Sequence, residues 1–305
     1  MQANQAPTPA ATMQPPVATF EELPLKARKR RKMDKPEATT PGPEKPPSIG
    51  VGLTPLDPGR LAGSQRLGII GLPGTGKSTC CRSLLSDLCR SFPVVNVFSG
   101  SEGDNPFYGD MIPKLFVHNK ISQKGLKMFV NRQRLAIGYD APMKDALLIL
   151  DDCFESPNQM DNSTMRILFK QGRHLRASVW VVQQYVVDLK PYARSTTSAV
   201  FLFHCPSSRD RRLLFENYGS VFPDYASFCA CYNAICATPH TAMVILLNQG
   251  NQHNVLESVF WYKPRLHPPG TLRLCHPLVW KYAGPRTDES CMDRLALLSC
   301  HTGDN

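Results

Sequence analysis

The chain has 305 residues, 42% of them hydrophobic, and carries a formal net charge of +10 at pH 7. That is enough apolar material for one large core, and one domain plus a tail fits better than two small domains. No apolar stretch approaches the roughly 20 residues that span a bilayer, which excludes membrane-spanning functions and leaves no membrane partner to expect.

Residues 1–60 hold 12 of the 27 prolines and little apolar periodicity, so they read as a disordered, basic, Pro-rich tail. Within it "KARKRRKMDK", Lys26 to Lys35, packs seven Lys/Arg into ten residues and reads as a nuclear import signal or a loose nucleic-acid contact. Residues 1–50 contain eight Lys/Arg against five Asp/Glu, so +7 of the charge remains on the rest of the chain and favours polyanion partners. A domain over 61–285 and a flexible tail over 286–305 complete the expected organisation.

From Leu61 the texture changes. "RLGII" (Arg66 to Ile70) is a short apolar run ending at a glycine, followed by a helical pattern through Cys81, Leu84, Leu85, Leu88 and Phe92. Further strands are expected at Val94 to Phe98, Ala146 to Leu150, Ala177 to Val182 and Ala199 to Phe203. Each is a near-continuous apolar run, as a parallel sheet covered on both faces requires. Helices are expected over Ser163 to Gln171, capped by Asp161 or Asn162, and over Ser207 to Tyr218, closed by Gly219. Thr241 to Tyr262 reads as a hairpin around "NQGNQHN". The fold class is therefore α/β, a mainly parallel sheet with antiparallel C-terminal additions.

Eleven cysteines without an opening signal peptide predict free thiols in a reducing compartment. Cys229, Cys231, Cys236 and His240 invite a zinc reading, which the lack of a second CxxC pair disfavours.

The chemistry is concentrated in "GLPGTGKST": Gly71, Leu72, Pro73, Gly74, Thr75, Gly76, Lys77, Ser78 and Thr79. This matches GxxxxGK[ST] between a strand and a helix. The glycines let backbone N–H groups turn inward around phosphate, Lys77 reaches the β- and γ-oxygens, and Ser78 ligates Mg²⁺. An acid is then expected at the end of a neighbouring strand, and "ALLILDDC" supplies Asp151 as the Mg²⁺ partner and Asp152 as the base or water-orienting group. Two carboxylates there argue against a small-molecule kinase, and no Asn-Lys-x-Asp reads guanine. Hydrolysis coupled to motion is what remains.

In order and spacing, the P-loop, "LLILDDC", "QGRHLRASVWVVQQY", "LKPYARS", "NPFYGDMIP" and "LRLCHPLVWKYAG" resemble the poxvirus-type genome-packaging ATPases of large DNA viruses, within the FtsK/HerA superfamily. The resemblance spans roughly Leu61 to Gly284. It implies a RecA-like P-loop core that assembles as a homo-oligomeric ring, hydrolyses ATP with Mg²⁺ between subunits, and drives double-stranded DNA into a capsid, with capsid or portal proteins as partners. It also implies Gln184 as the polar group sensing the γ-phosphate, with its neighbour Gln183 in contention because strand alternation turns only one of them toward the site.

A ring enzyme needs an arginine reaching the adjacent subunit's nucleotide. Arg194 is the first candidate and Arg173 the second, with His174 beside it read as structural. "HNKISQKGLK", with Lys120, Lys124 and Lys127, is a candidate basic DNA-contacting loop. The import signal suits a virus packaging in the host nucleus. Two other readings remain: a P-loop phosphotransferase on a nucleotide or polynucleotide end, and a non-enzymatic nuclear protein that binds nucleotide for assembly.

Overall fold

The computed structural model describes residues 52–185, 189–247 and 254–283. The elements run β1 (Arg66–Ile70), α1 (Lys77–Asp87), β2 (Val94–Ser99), β3 (Val117–His118), α2 (Gln123–Gly138), β4 (Ala146–Asp151), α3 (Pro157–Met160), α4 (Ser163–Gln171), β5 (Ala177–Gln183) and α5 (Pro191–Arg194). They continue with β6 (Ala199–Leu202), α6 (Ser208–Tyr218), α7 (Tyr225–Cys236), β7 (Ala242–Leu246), α8 (Val255–Ser258), β8 (Val259–Tyr262) and α9 (Pro277–Tyr282).

The strands form one sheet in the order β3-β2-β4-β5-β1-β6-β7-β8. Strands β1 to β6 pair in parallel, and β7 and β8 are added antiparallel. The apolar runs are continuous because both faces are covered. Within β1, Ile69 packs with Cys80, Cys81, Leu84 and Phe201 under α1. Its neighbour Ile70 packs on the other face with Val200, Leu202, Leu214, Phe228 and Tyr232, under α6 and α7. Successive residues thus feed two opposite cores, as the pleat dictates.

Several elements depart from the sequence reading. Residues 52–60 fall inside the expected disordered tail, yet Leu53 and Leu56 are buried, Leu56 N donates to the Trp261 carbonyl at 2.9 Å, and Pro55 bridges Trp261. This segment covers the exposed edge of β8, where unpaired backbone would otherwise face solvent. The boundary at residue 61 is corrected accordingly, while the import signal and the rest of the tail, like residues 284–305, lie outside the described residues.

The second strand of the expected hairpin is shorter than anticipated. "VLES" is the one-turn helix α8, started by the Asn254 side chain accepting from Leu256 N, and only Val259–Tyr262 pairs with β7. Beside the short α3, α5 and α9, two longer helices were not anticipated. In α2, Leu126, Phe129, Val130 and Ala136 line the buried face after a Ser122 cap; in α7, Phe228, Cys231, Tyr232, Ile235 and Cys236 do so after an Asp224 cap. The nine described cysteines are free thiols.

The chain after β8 straps α1. Tyr262 Oη donates to Ser83 Oγ at 2.7 Å, Arg265 N to the same hydroxyl at 3.0 Å, and the Arg265 guanidinium pairs with Asp87. The strap holds residues 263–266 beside the helix that follows the P-loop. No helix among the described residues is long and apolar enough to cross a membrane.

Candidate nucleotide site

Between β1 and α1 the chain turns through Gly71 to Gly76. Gly74 (φ +75°) and Gly76 (φ +107°) occupy left-handed backbone that a side chain would strain. Gly71 is fixed by space, since a Cβ there would lie 2.6 Å from Phe203 Cβ. Gly76 is the N-cap of α1 and makes no side-chain capping bond, so the first-turn N–H groups of Lys77, Ser78 and Thr79 point out of an eleven-residue helix with the dipole behind them. Leu72 closes the turn by accepting from Thr75 Oγ1 at 2.7 Å; Pro73 is exposed on its outer side.

Lys77 Nζ folds over the loop, donating to the carbonyls of Gly71 at 2.7 Å and Leu72 at 3.2 Å. Burial lowers its pKa, and Asp152 and Asp151 oppose that shift, so the ammonium lies in the field of both carboxylates. Left-handed glycines, open helix N–H groups and a half-desolvated ammonium together fit a polyphosphate.

The acid strand is β4, and it is not the neighbour of β1 as expected. Strand β5 lies between them, paired with both. The tip of β5 therefore carries Gln183 and Gln184 between the P-loop and the aspartates. Gln184 Nε2 donates to Asp152 Oδ2 at 3.1 Å. Gln183 is buried and both its amide atoms lack a hydrogen-bond partner within the chain. Asp152 is exposed with φ +41°, a left-handed conformation that aspartate adopts more readily than most non-glycine residues. Its carbonyl packs closely on Gly100, where a Cβ would lie 2.3 Å from the Asp152 oxygen.

Asp151 is buried, and Tyr108 Oη donates to its Oδ2 at 2.8 Å. Burial pushes its pKa up to about 6, with Asp152 and Glu102 adding to the rise and the Tyr108 hydrogen bond and Lys77 opposing it. Tyr108 is itself held by a buried carboxylate. Glu102 accepts from the backbone N–H groups of Phe107, Tyr108 and Gly109 at 2.8 to 3.1 Å, fixing the loop after β2. Sequence reasoning singled out "NPFYGDMIP" only as a resembling segment. The contact joins residues 43 apart in sequence, and a tyrosine in a loop gives no signal of it. Hard oxygen donors at Asp151 and Ser78 suit Mg²⁺.

The other candidates lie elsewhere. Arg194 Nη1 donates to the Leu189 carbonyl of its own chain. Arg173 is exposed and near Arg66, whose pKa is lowered by burial first and by Arg173 second. Arg66 starts β1, so Arg173 sits at the end of the strands opposite the P-loop. His174 is exposed. Lys190, overlooked in the sequence, lines a cleft of about 520 Å³ with Asp152, Glu155, Gln183 and Gln184.

Only part of the candidate DNA-contacting segment His118–Lys127 is a loop. Lys124 and Lys127 stand on the first turns of α2, and Lys120 pairs with Glu155 at 3.5 Å. Cys231 and Cys236 face the core beside Met243 and the Leu202 carbonyl. His240 is taken up at the P-loop instead, its Nδ1 lying 3.3 Å from the Thr75 carbonyl oxygen.

A P-loop strand separated by one strand from an acid strand, with helices on both faces, defines a RecA-like P-loop NTPase fold. Residues 60–220 match the Poxvirus A32 protein family, and the chain belongs to that family. It is 33% identical to the uncharacterized protein 015R of Frog virus 3 (isolate Goorha) over 232 residues, covering 74% of this chain and 70% of the relative. It is 31% identical to protein 075L of Invertebrate iridescent virus 6 over 218 residues, covering 71% and 84%. Among solved structures, the genome packaging NTPase B204 from Sulfolobus turreted icosahedral virus 2, in complex with ATP-gammaS, aligns with a TM-score of 0.44 and 15% identity over 69% of this chain and all of that one.

Proposed function

We propose that the chain is one subunit of a ring-shaped motor that hydrolyses ATP to translocate double-stranded DNA during viral genome packaging. The observation that carries the hydrolytic reading is the Asp151, Asp152 and Gln184 group at the tips of β4 and β5, beside the P-loop. Membership of the family and the motif order described above support the packaging role.

The nucleotide's β-phosphate would rest on the N–H groups of the P-loop, with Lys77 released from the Gly71 and Leu72 carbonyls to reach the β- and γ-oxygens. Ser78 and Asp151 would hold Mg²⁺, which neutralises charge on those oxygens. Asp152 orients the attacking water and takes its proton, and its hydrogen bond from Gln184 links that carboxylate to the tip of β5. Among the described residues no arginine lines the cleft beside Asp152 and Gln184. This supports an arginine supplied by a neighbouring subunit, with Arg194 the candidate. The basic run Lys26–Lys35 supports action in the host nucleus, and capsid or portal proteins are the expected partners.

The test uses γ-labelled ATP with Mg²⁺, with and without duplex DNA. The expected product is inorganic phosphate, released several-fold faster with DNA and less so at high salt, because the contacts are to phosphates. Label arriving on a nucleotide or polynucleotide hydroxyl would establish the phosphotransferase reading in its place.

A further inference from the structure

The site described above accounts for the phosphate end of a nucleotide and leaves its base unplaced. Polarity along the P-loop settles which way the base must go. Asp151, Asp152 and Gln184 mark the γ-phosphate side, so the α-phosphate and nucleoside leave in the opposite direction. A cleft of about 360 Å³ runs from the loop and the first turn of α1, at Gly74, Gly76, Lys77, Ser78 and Thr79, away from Asp151, Asp152 and Gln184. One wall is the turn Pro239–His240 before β7; the other is Pro264 and Leu266 in the strap after β8.

We propose that this cleft is the base-and-ribose subsite of the nucleotide, in which the flat ring is held by contact with His240 on one side and Pro264 and Leu266 on the other. The proposal rests on the P-loop reading above and adds to it the residues that recognise the nucleoside.

Three observations independent of the P-loop motif support it. First, His240 is held at φ +59°, left-handed backbone for a non-glycine residue. Histidine adopts that region more readily than most residues, and what matters here is where it puts the ring. That position sets the imidazole against Gly76, where a Cβ would meet His240 Cβ and Nδ1 at 3.3 Å. Second, Leu266 is 86% exposed, the most exposed large apolar side chain among the described residues, and it stands at the mouth of the cleft. An apolar side chain left facing water beside a phosphate loop gains by covering a ring. Third, both walls are fixed. The strap is bonded to α1 through Ser83 and Asp87, and the His240 turn to the loop through the Thr75 carbonyl. The gap between them is therefore built into the fold.

The full chain and two variants, His240→Gly and Leu266→Ala, separate the possibilities. Glycine suits the backbone at position 240, which offsets the lost contact with the Thr75 carbonyl, so the first variant folds while losing the ring. Binding is measured with Mg²⁺ by displacement of a fluorescent ATP analogue, using ATP and inorganic tripolyphosphate as competitors. Each variant is expected to weaken ATP about tenfold, the size of one lost base–side-chain contact, and to leave tripolyphosphate within about twofold of wild type. Unchanged ATP affinity in both variants, or an equal loss for ATP and tripolyphosphate, overturns the subsite while leaving the phosphate site standing. A wild-type chain that binds neither competitor overturns the nucleotide reading itself, and the subsite with it.

Discussion

Replacing Lys77 with alanine is expected to lower ATP hydrolysis by at least about a thousandfold while the protein remains folded. The ammonium is the one cation of the P-loop placed to follow charge from the β- to the γ-oxygens, and losing a preorganised donor of that kind costs about two to three orders of magnitude in rate, more where it carries full charge. Stability should barely change. Two hydrogen bonds to the Gly71 and Leu72 carbonyls are lost, and the unfavourable burial that lowers the lysine pKa is lost with them. Opposed terms of this size leave about 1 kcal/mol or less. Hydrolysis and thermal unfolding measured on the same preparation check both halves. Retained hydrolysis would remove the P-loop from the chemistry.

Asp151→Asn should produce the opposite pairing, a dead enzyme in a more stable protein. The folded pKa of about 6 lies above the usual carboxylate value because the group is buried. A raised acid contributes stability that is fully present below about pH 4 and is lost as pH rises through about 6. At pH 7.5 the ionised carboxylate is therefore a burden on the fold. A rise of about two units at 1.4 kcal/mol each sets an upper bound of about 3 kcal/mol. The amide removes that burden, so unfolding without metal should occur at a higher temperature than in wild type at pH 7.5, and the gap should shrink below pH 6. At subsaturating Mg²⁺, where the metal-free carboxylate sets the rate, hydrolysis needs the ionised form and should fall about tenfold per unit as wild type is taken below pH 6, and be absent in the variant. Tyr108→Phe removes a hydrogen bond that stabilises the ionised form, so it should move that midpoint upward. A variant no more stable than wild type would show that burial does not strain Asp151, and one that hydrolyses ATP normally would show that Asp151 is not a metal partner.

The parts legible in the sequence were those written in contiguous residues. The P-loop declares itself by its glycines, and the strands by runs such as "ALLIL" that need no partner to be recognised. Strand order is not contiguous information. Nothing in "ASVWVVQQ" says that it inserts between β1 and β4, yet that insertion brings Gln184 to Asp152. Helix α7 was hidden because its buried positions are shared by cysteine and tyrosine, which mask the apolar period, and α2 because its first turn is basic and contains Gly125. That glycine is there for packing, as a Cβ would lie 2.9 Å from Phe98 Cζ. The Tyr108–Asp151 bond and the placement of His240 at the P-loop are long-range contacts, set by the fold after the chain has closed, whereas the Glu102 clamp is local but lies in a loop without periodicity to announce it.

The central claim is that this site is completed by a neighbouring subunit, and one titration tests it most directly. Arg194→Ala protein is mixed in increasing proportion with wild type at constant total concentration, and ATP hydrolysis is followed with saturating duplex DNA. If Arg194 acts across the ring, small fractions of the variant will depress the rate far more than their share. A decline in simple proportion to the wild-type fraction would contradict the account.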